Sequence, residues 1–194
     1  PDSAMYSNTM RWRFVSPSAA GGPSGISLTL LMILLLGDLA ASRVAVVGAG
    51  GAARAVVYGL KQEHANVNVF VRDLRSAGQF AAEFSTTVKP ISDLKSEISD
   101  FDIIVNATQV GMKGSLEGQS LFTAGELSGV KFVYDLVSHV DGTPLQHAAK
   151  AAGVPCIGGL EMLVAQGARQ FERWTGREAP IDLMRKAILQ RIGG

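Results

Sequence analysis

The residues with the most evident chemical potential are Gly48-Ala49-Gly50-Gly51-Ala52-Ala53, which follow the β-branched run Val44 to Val47 and open a stretch of helical periodicity. They match G-x-G-x-x-G/A in the context where that pattern has a mechanism, between a strand and a helix. Gly48 permits a tight turn, Gly50 has no β-carbon to obstruct a pyrophosphate, and Ala53 is small enough for helix to pack closely on strand. The free N–H groups and positive dipole end of the new helix then hold the anion, with Gly51 and Ala52 in its first turn. About 20 residues further on, where a second strand should end and meet the ribose, stands Val71-Arg72-Asp73-Leu74-Arg75. An acidic residue there suits the free 2′-hydroxyl of NAD, and an arginine suits the 2′-phosphate of NADP. Arg72 and Arg75 can pair with a phosphate, whereas Asp73 repels one if it points the same way, so NADP is expected and NAD stays open. Arg54 either adds a phosphate contact or is a solvated surface arginine.

Other chemistries have less to work with. His64, His139 and His147 show no zinc-ligand spacing, so no metal is expected, and the single Cys156 excludes an internal disulfide. A lone cysteine suits a reducing cytoplasm. Eighteen Lys+Arg against 17 Asp+Glu leave a formal charge of +1, which provides no field for nucleic acid or an anionic membrane. Any anion must be held locally, and the partner expected is a small molecule. With 47% hydrophobic and 18% charged residues, the chain is neither disordered nor a coiled coil.

The elements that must position these residues alternate. Val44 to Val47, Val67 to Val71, Thr86 to Val88, Asp102 to Val105, Lys131 to Tyr134 and Val154 to Ile157 read as strands. Helical stretches at 52–60, 76–84, 92–98 and 144–152 fall between them, and such alternation predicts an α/β fold with a Rossmann-like, doubly wound, mostly parallel sheet. From Leu160 the strand signal stops. One helix should run to Thr175-Gly176, and Pro180 should start another that continues to Ile192. These are extra C-terminal helices, amphipathic and in need of a surface to cover.

Upstream, residues 1–25 carry Ser, Pro and Gly clusters around Trp12 to Phe14 and read as loop and partial helix. Ile26 to Leu36 is almost wholly apolar but short of the about 20 residues that span a membrane. A buried helix leading into the first strand is expected; a signal-peptide core, followed by Ala40, Ala41 and Ser42, is the rival. Exposed leucines in this run would favour self-association, and a homodimer is allowed. The organisation expected is an N-terminal segment with an apolar helix at 1–42, an NADP-binding Rossmann domain at 43–158 and C-terminal helices at 159–194. The first residue, Pro1, is compatible with a fragment or processed product.

Several ordered motifs together resemble the shikimate dehydrogenase family: Val47-Gly-Ala-Gly-Gly-Ala-Ala-Arg-Ala55, Asn106-Ala-Thr108 with Gly111-Met112, Tyr134-Asp-Leu136 with Thr143-Pro-Leu145, and Gly159-Leu-Glu-Met-Leu-Val-Ala-Gln166 with Phe171 and Trp174-Thr-Gly176. The likeness extends over about residues 43–186. It implies NADPH-dependent reduction of 3-dehydroshikimate to shikimate in aromatic amino-acid biosynthesis. It also implies that Asn106, Ala107 and Thr108 lie along the cofactor, that Gly159 and Met162 border the nicotinamide, and that Gln166 reaches a substrate hydroxyl. Read without the resemblance, Asn106 and Thr108 are a capping pair, Met162 is core packing and Gln166 is helix surface.

The chain departs from the family in two places. The family's catalytic Lys and Asp belong to an N-terminal substrate domain that is almost entirely missing here; the nearest echo, Asn8-Thr9-Met10, has methionine where the Asp should stand. Lys113 is the only lysine near the expected nicotinamide site and reads as an exposed loop residue. Secondly, Asp135-Leu-Val137 continues as Ser138-His139-Val140 where the family commonly has Tyr-Asn-Pro, which changes the substrate side of the site. His139 is either a proton donor in an altered site or a partly exposed loop histidine. Two rival functions follow: a catalytically incompetent NADP-binding module, or an NAD-dependent quinate/shikimate-type dehydrogenase.

Overall fold

A computed structural model describes residues 38–192. The loop expected at 1–25, the apolar helix at 26–36 and Asn8-Thr9-Met10 lie outside the described residues, as does the start of the proposed 1–42 segment.

The apolar runs become strands β1 (Arg43–Val47), β2 (Asn66–Val71), β3 (Thr87–Pro90), β4 (Ile103–Asn106), β5 (Phe132–Asp135) and β6 (Cys156–Gly158). They form one six-stranded sheet in the order β3-β2-β1-β4-β5-β6, with every pairing parallel. The intervening helices are α1 (Gly51–Gln62), α2 (Gly78–Phe84), α3 (Ile91–Glu97) and α4 (Pro144–Ala151), and α5 (Gly159–Thr175) and α6 (Ile181–Ile192) close the chain. Short 3-10 turns at Leu74–Ala77 and Ile98–Asp100 lead into α2 and out of α3.

Alternation along each strand explains the two layers. Val44, Val46, Val67, Val69, Ile103, Val105 and Tyr134 point to one face, where α1 and α2 cover them with Val56, Val57, Leu60 and Phe80. Ala45, Val47, Phe70, Ile104 and Val133 point to the other, beneath Leu94 of α3 and Leu145 and Ala149 of α4. Both faces of a parallel sheet are thus buried, which is why its strands read as continuous apolar runs. Each fully buried Val, Leu, Ile or Phe among them contributes about 1.5–3 kcal/mol by leaving water.

The strand order reverses between β1 and β4, so the connections leaving their carboxyl ends diverge to opposite faces and open a crevice. α5 and α6 pair through Arg185, whose Nε and Nη2 donate to the two carboxylate oxygens of Glu161 at 3.0 and 2.9 Å. Met162, on the first turns of α5, packs against the α1 side of the core. No helix among the described residues is long and apolar enough to cross a membrane.

Candidate functional site

The turn after β1 enters the crevice. Gly48 donates its N–H to the Phe70 carbonyl at 2.8 Å, and Ala107 donates to the Val47 carbonyl at 2.9 Å, so the turn is pinned between β2 and β4. Gly48 has φ +109, and a β-carbon there would stand 2.9 Å from the Ala107 carbonyl oxygen. Conformation and close approach both demand glycine. Gly50, the N-cap of α1, and Gly51, its first residue, are different: a β-carbon on either would meet nothing within 4 Å. Gly50, Gly51 and Ala52 are exposed, Ala49 is half-buried, and the helix has no side-chain cap and no acidic residue in its first turn. The first N–H groups of α1 therefore face open space with no competing carboxylate, which fits a bound pyrophosphate.

At the end of β2 the opposing roles of Asp73 and the arginines separate. Asp73 Oδ1 accepts from Arg75 N at 3.0 Å and from Arg75 Nε at 3.2 Å, so the carboxylate caps its own 3-10 turn and holds Arg75. Arg72 is exposed and makes no hydrogen bond or ion pair among the described residues. Arg54 stands half-buried on α1. It pairs with Glu83 and lies over the rings of Phe80 and Phe84, at 5.4 and 6.0 Å from their centroids, so it joins α1 to α2.

Between β4 and β5 lies a buried polar knot. Asn106 is fully buried; its Nδ2 donates to Asp135 Oδ1 at 2.8 Å and to the Val110 carbonyl at 3.1 Å. Its Oδ1 accepts from Thr108 N at 3.0 Å and Thr108 Oγ1 at 2.7 Å. Asp135, also fully buried, accepts from Val137 N at 3.2 Å, Gln146 Nε2 at 3.3 Å and the Thr143 hydroxyl besides Asn106. Burial pushes the Asp135 carboxyl above its ordinary range, and the four donors pull it part of the way back. Thr143 caps α4 by accepting from Gln146 N at 3.2 Å. The Asn106 amide therefore stays inside, and Ala107 and Thr108 leave β4 beside Gly48 of the glycine turn.

The first residue of α5 completes the edge. A β-carbon on Gly159 would lie 2.2 Å from the Leu136 carbonyl oxygen and 2.8 Å from Ser138 Oγ, so only glycine lets α5 start against the β5 exit. Lys113 is exposed on the loop after β4, and His139 sits half-buried opposite Glu117. Among the described residues no cluster could hold a metal ion.

Comparisons with known proteins bear on the family and the fold. The family model for shikimate / quinate 5-dehydrogenase covers residues 31–113, and that for the shikimate 5′-dehydrogenase C-terminal domain covers residues 159–189. The chain is 40% identical over 148 residues to a shikimate dehydrogenase (NADP(+)) of Methanocella arvoryzae, covering 74% of this chain and 54% of that one. It is 37% identical to the enzyme of the same name from Methanosarcina acetivorans, covering 80% and 58%. The chain belongs to the shikimate dehydrogenase family. A crystal structure of a shikimate dehydrogenase in complex with NADP+ superposes with a TM-score of 0.72 at 30% identity, covering 88% of this chain and 61% of that one. The Listeria monocytogenes enzyme, solved with shikimate and NAD, gives 0.72 at 27% identity, covering 86% and 62%. Quinate dehydrogenase from Corynebacterium glutamicum, solved with NAD, gives 0.75 at 25% identity, covering 88% and 62%.

The chain spans little more than half the length of the shikimate dehydrogenases it matches. Of the residues singled out by family resemblance, Gly159 opens α5, while Met162 and Gln166 lie half-buried further along it. Arg75 is the residue whose expected phosphate contact has an internal competitor, Asp73. Asp135, Thr143 and Gln146 stand outside the candidate site residues of the sequence. Their signals were present: a carboxylate ending an apolar strand, and a Thr-Pro pair opening a helix.

Proposed function

We propose that this chain is the NADP-binding part of a shikimate dehydrogenase, acting in the whole protein on the 3-dehydroshikimate/shikimate pair. The observation that carries this reading is the open cradle at Gly50, Gly51 and Ala52, at the amino end of α1 in the crevice between β1 and β4. Gly48 and Ala49 shape the turn, and the helix N–H groups hold the pyrophosphate. Arg72, exposed at the β2 exit, takes the 2′-phosphate; Arg75 assists once released from Asp73. Asn106 orients Ala107 and Thr108 along the dinucleotide. Gly159 and Met162 border the nicotinamide, and Gln166 on α5 offers an amide to a substrate hydroxyl. When bound, NADPH supplies the hydride for the carbonyl reduction.

The proposed organisation keeps 43–158 as the cofactor domain and 159–194 as the closing helices, with 1–42 leading in. The setting proposed is cytoplasmic, with small-molecule partners and the option of a homodimer. The quinate/NAD reading is favoured by one observation, the carboxylate Asp73 at the β2 exit.

Titration with NADPH and NADH, followed by absorbance assays of shikimate with NADP and quinate with NAD, tests these readings. Tight NADPH binding with shikimate turnover is expected of the whole protein. Tighter NADH binding with quinate turnover would transfer the assignment to the second reading, and cofactor binding without any turnover would mark a binding module. Binding of neither dinucleotide would overturn the cofactor site.

A further inference from the structure

Two segments leave the carboxyl edge of the sheet, residues 107–120 after β4, before the chain returns across the sheet face through Phe122, Leu127 and Val130, and residues 136–143 after β5. Their roots are joined by the buried Asn106–Asp135 knot. Near their tips is a second link: His139 Nε2 lies 3.3 Å from Glu117 Oε1. The other ring nitrogen, Nδ1, accepts the Asp141 N–H at 3.3 Å, which places the proton of the neutral ring on Nε2 as donor to Glu117. Glu117 also organises its own turn. Its Oε2 accepts from Gly114 N at 3.3 Å, and its backbone N–H donates to the Gly114 carbonyl at 3.2 Å.

The loop that carries His139 is firmly held from behind. His147 of α4 donates through Nε2 to the Asp141 carbonyl at 2.8 Å. Ser138, beside His139, packs so closely on the start of α5 that Gly159 has no room for a β-carbon. The loop after β4, by contrast, exposes Met112, Lys113, Gly114 and Ser115 in succession. Gly111 touches Thr143 near its root, where a β-carbon would lie 3.2 Å from Thr143 Cβ. Beyond Gly111, the Glu117 carboxylate reaching His139 is a tie from the exposed turn to the well-held loop.

We propose that His139 is a positioning residue of the cofactor site: through Glu117 it clamps the Gly111–Glu117 turn to the β5–α4 loop, fixing the mouth between Thr108 and Gly159 before the dinucleotide arrives. The proposal rests on reading this edge as an NADP site. Neither side chain needs to touch the cofactor. A half-exposed pair of this kind adds little to global stability, but it can decide whether a local segment stays ordered. A mouth that samples open states weakens apparent affinity in proportion to the competent fraction lost.

The test uses the full chain with His139→Ala, His139→Gln and Glu117→Ala, read by amide hydrogen exchange and by NADPH fluorescence titration. His139→Ala should speed exchange at residues 111–118, more than twenty positions away in sequence, and weaken NADPH binding about threefold to fivefold. Glu117→Ala should do the same, and the double variant no more than either alone. His139→Gln retains a donor at the outer position and should recover most of the affinity, which a general packing role would not predict. Unchanged exchange at 111–118 in His139→Ala would overturn the clamp. Faster exchange with unchanged affinity would overturn its link to the site. Wild-type protein that binds no NADPH would overturn the cofactor reading, and this proposal with it, before any variant is made.

Discussion

At the turn after β1 the protein leaves space open: nothing lies within 4 Å of where a β-carbon on Gly50 or Gly51 would stand, and the first turn of α1 has no carboxylate. Between β4 and β5 it does the reverse, burying a carboxylate, an amide and a hydroxyl until Asn106, Asp135 and Thr143 are wholly enclosed. Both lie on the same sheet edge. The open turn needs no partner to keep its fold, because its first N–H groups face solvent. The knot cannot tolerate loss of a member, because each buried partner left alone keeps its desolvation penalty. Function and stability are therefore separable at one end of the edge and joined at the other.

The largest effect should come from Asp135→Ala, which strands Asn106, Thr143 and Gln146 together. A loss of about 3–5 kcal/mol in urea unfolding is expected, with Asp135→Asn milder because it keeps one acceptor. A loss below about 1 kcal/mol would show that the knot relaxes, and the contrast with the turn would weaken.

Within the turn, Gly48→Val and Gly50→Val should part company. Gly48→Val must place a β-branched residue at φ +109 and against the Ala107 carbonyl, costing about 2–4 kcal/mol. Gly50→Val should cost no more than about 1 kcal/mol, as an unfavourable N-cap, yet abolish NADP binding by filling the pyrophosphate's space. Unchanged dinucleotide affinity on titration would refute that placement.

A smaller effect separates the two arginines. Arg72→Ala should weaken NADP binding about tenfold and leave NAD binding nearly unchanged, as loss of a charge-assisted phosphate contact requires. Arg75→Ala should do less, since Asp73 already holds that side chain at 3.2 Å. Equal losses for both dinucleotides would remove Arg72 from the 2′-phosphate.

The smallest effect is a slope. Because burial raises the Asp135 carboxyl above its unfolded value, the folded state binds a proton that the unfolded state has released. The stability this group contributes is full below the unfolded value of about 3.8 and falls as pH rises through the raised folded value. Urea midpoints measured upward from pH 4 should thus decline less steeply in Asp135→Asn than in wild type. Asp102 supplies the opposite case: the Arg43 N–H holds its carboxyl below the ordinary range, so its contribution is lost as pH falls through that lowered value. Parallel pH profiles for wild type and Asp135→Asn would show that Asp135 titrates as it does in the unfolded chain.

The strands and helices were legible within one or two residues because their signals are local. Val44 to Val47 is β-branched, Thr143-Pro144 caps and starts α4, and Gly176 at φ +65 ends α5. Asp73 was ambiguous for the same reason: its type is local, but whether it faces a ligand or Arg75 depends on a side-chain direction that spacing does not encode. The contacts of Arg54 were not legible because its partners, Glu83, Phe80 and Phe84, come from a helix more than twenty residues away.

By itself the sequence determined the parallel α/β architecture and the glycine turn after β1, because strand, turn and helix propensities act between neighbours in the chain. Only the tertiary structure decided that Gly159 is required by the Leu136 carbonyl, that Asn106 faces inward to Asp135, and that Glu117 meets His139. Those contacts join segments whose proximity arises from sheet order, and a hydrogen bond acts only over the few ångströms that folding alone brings about.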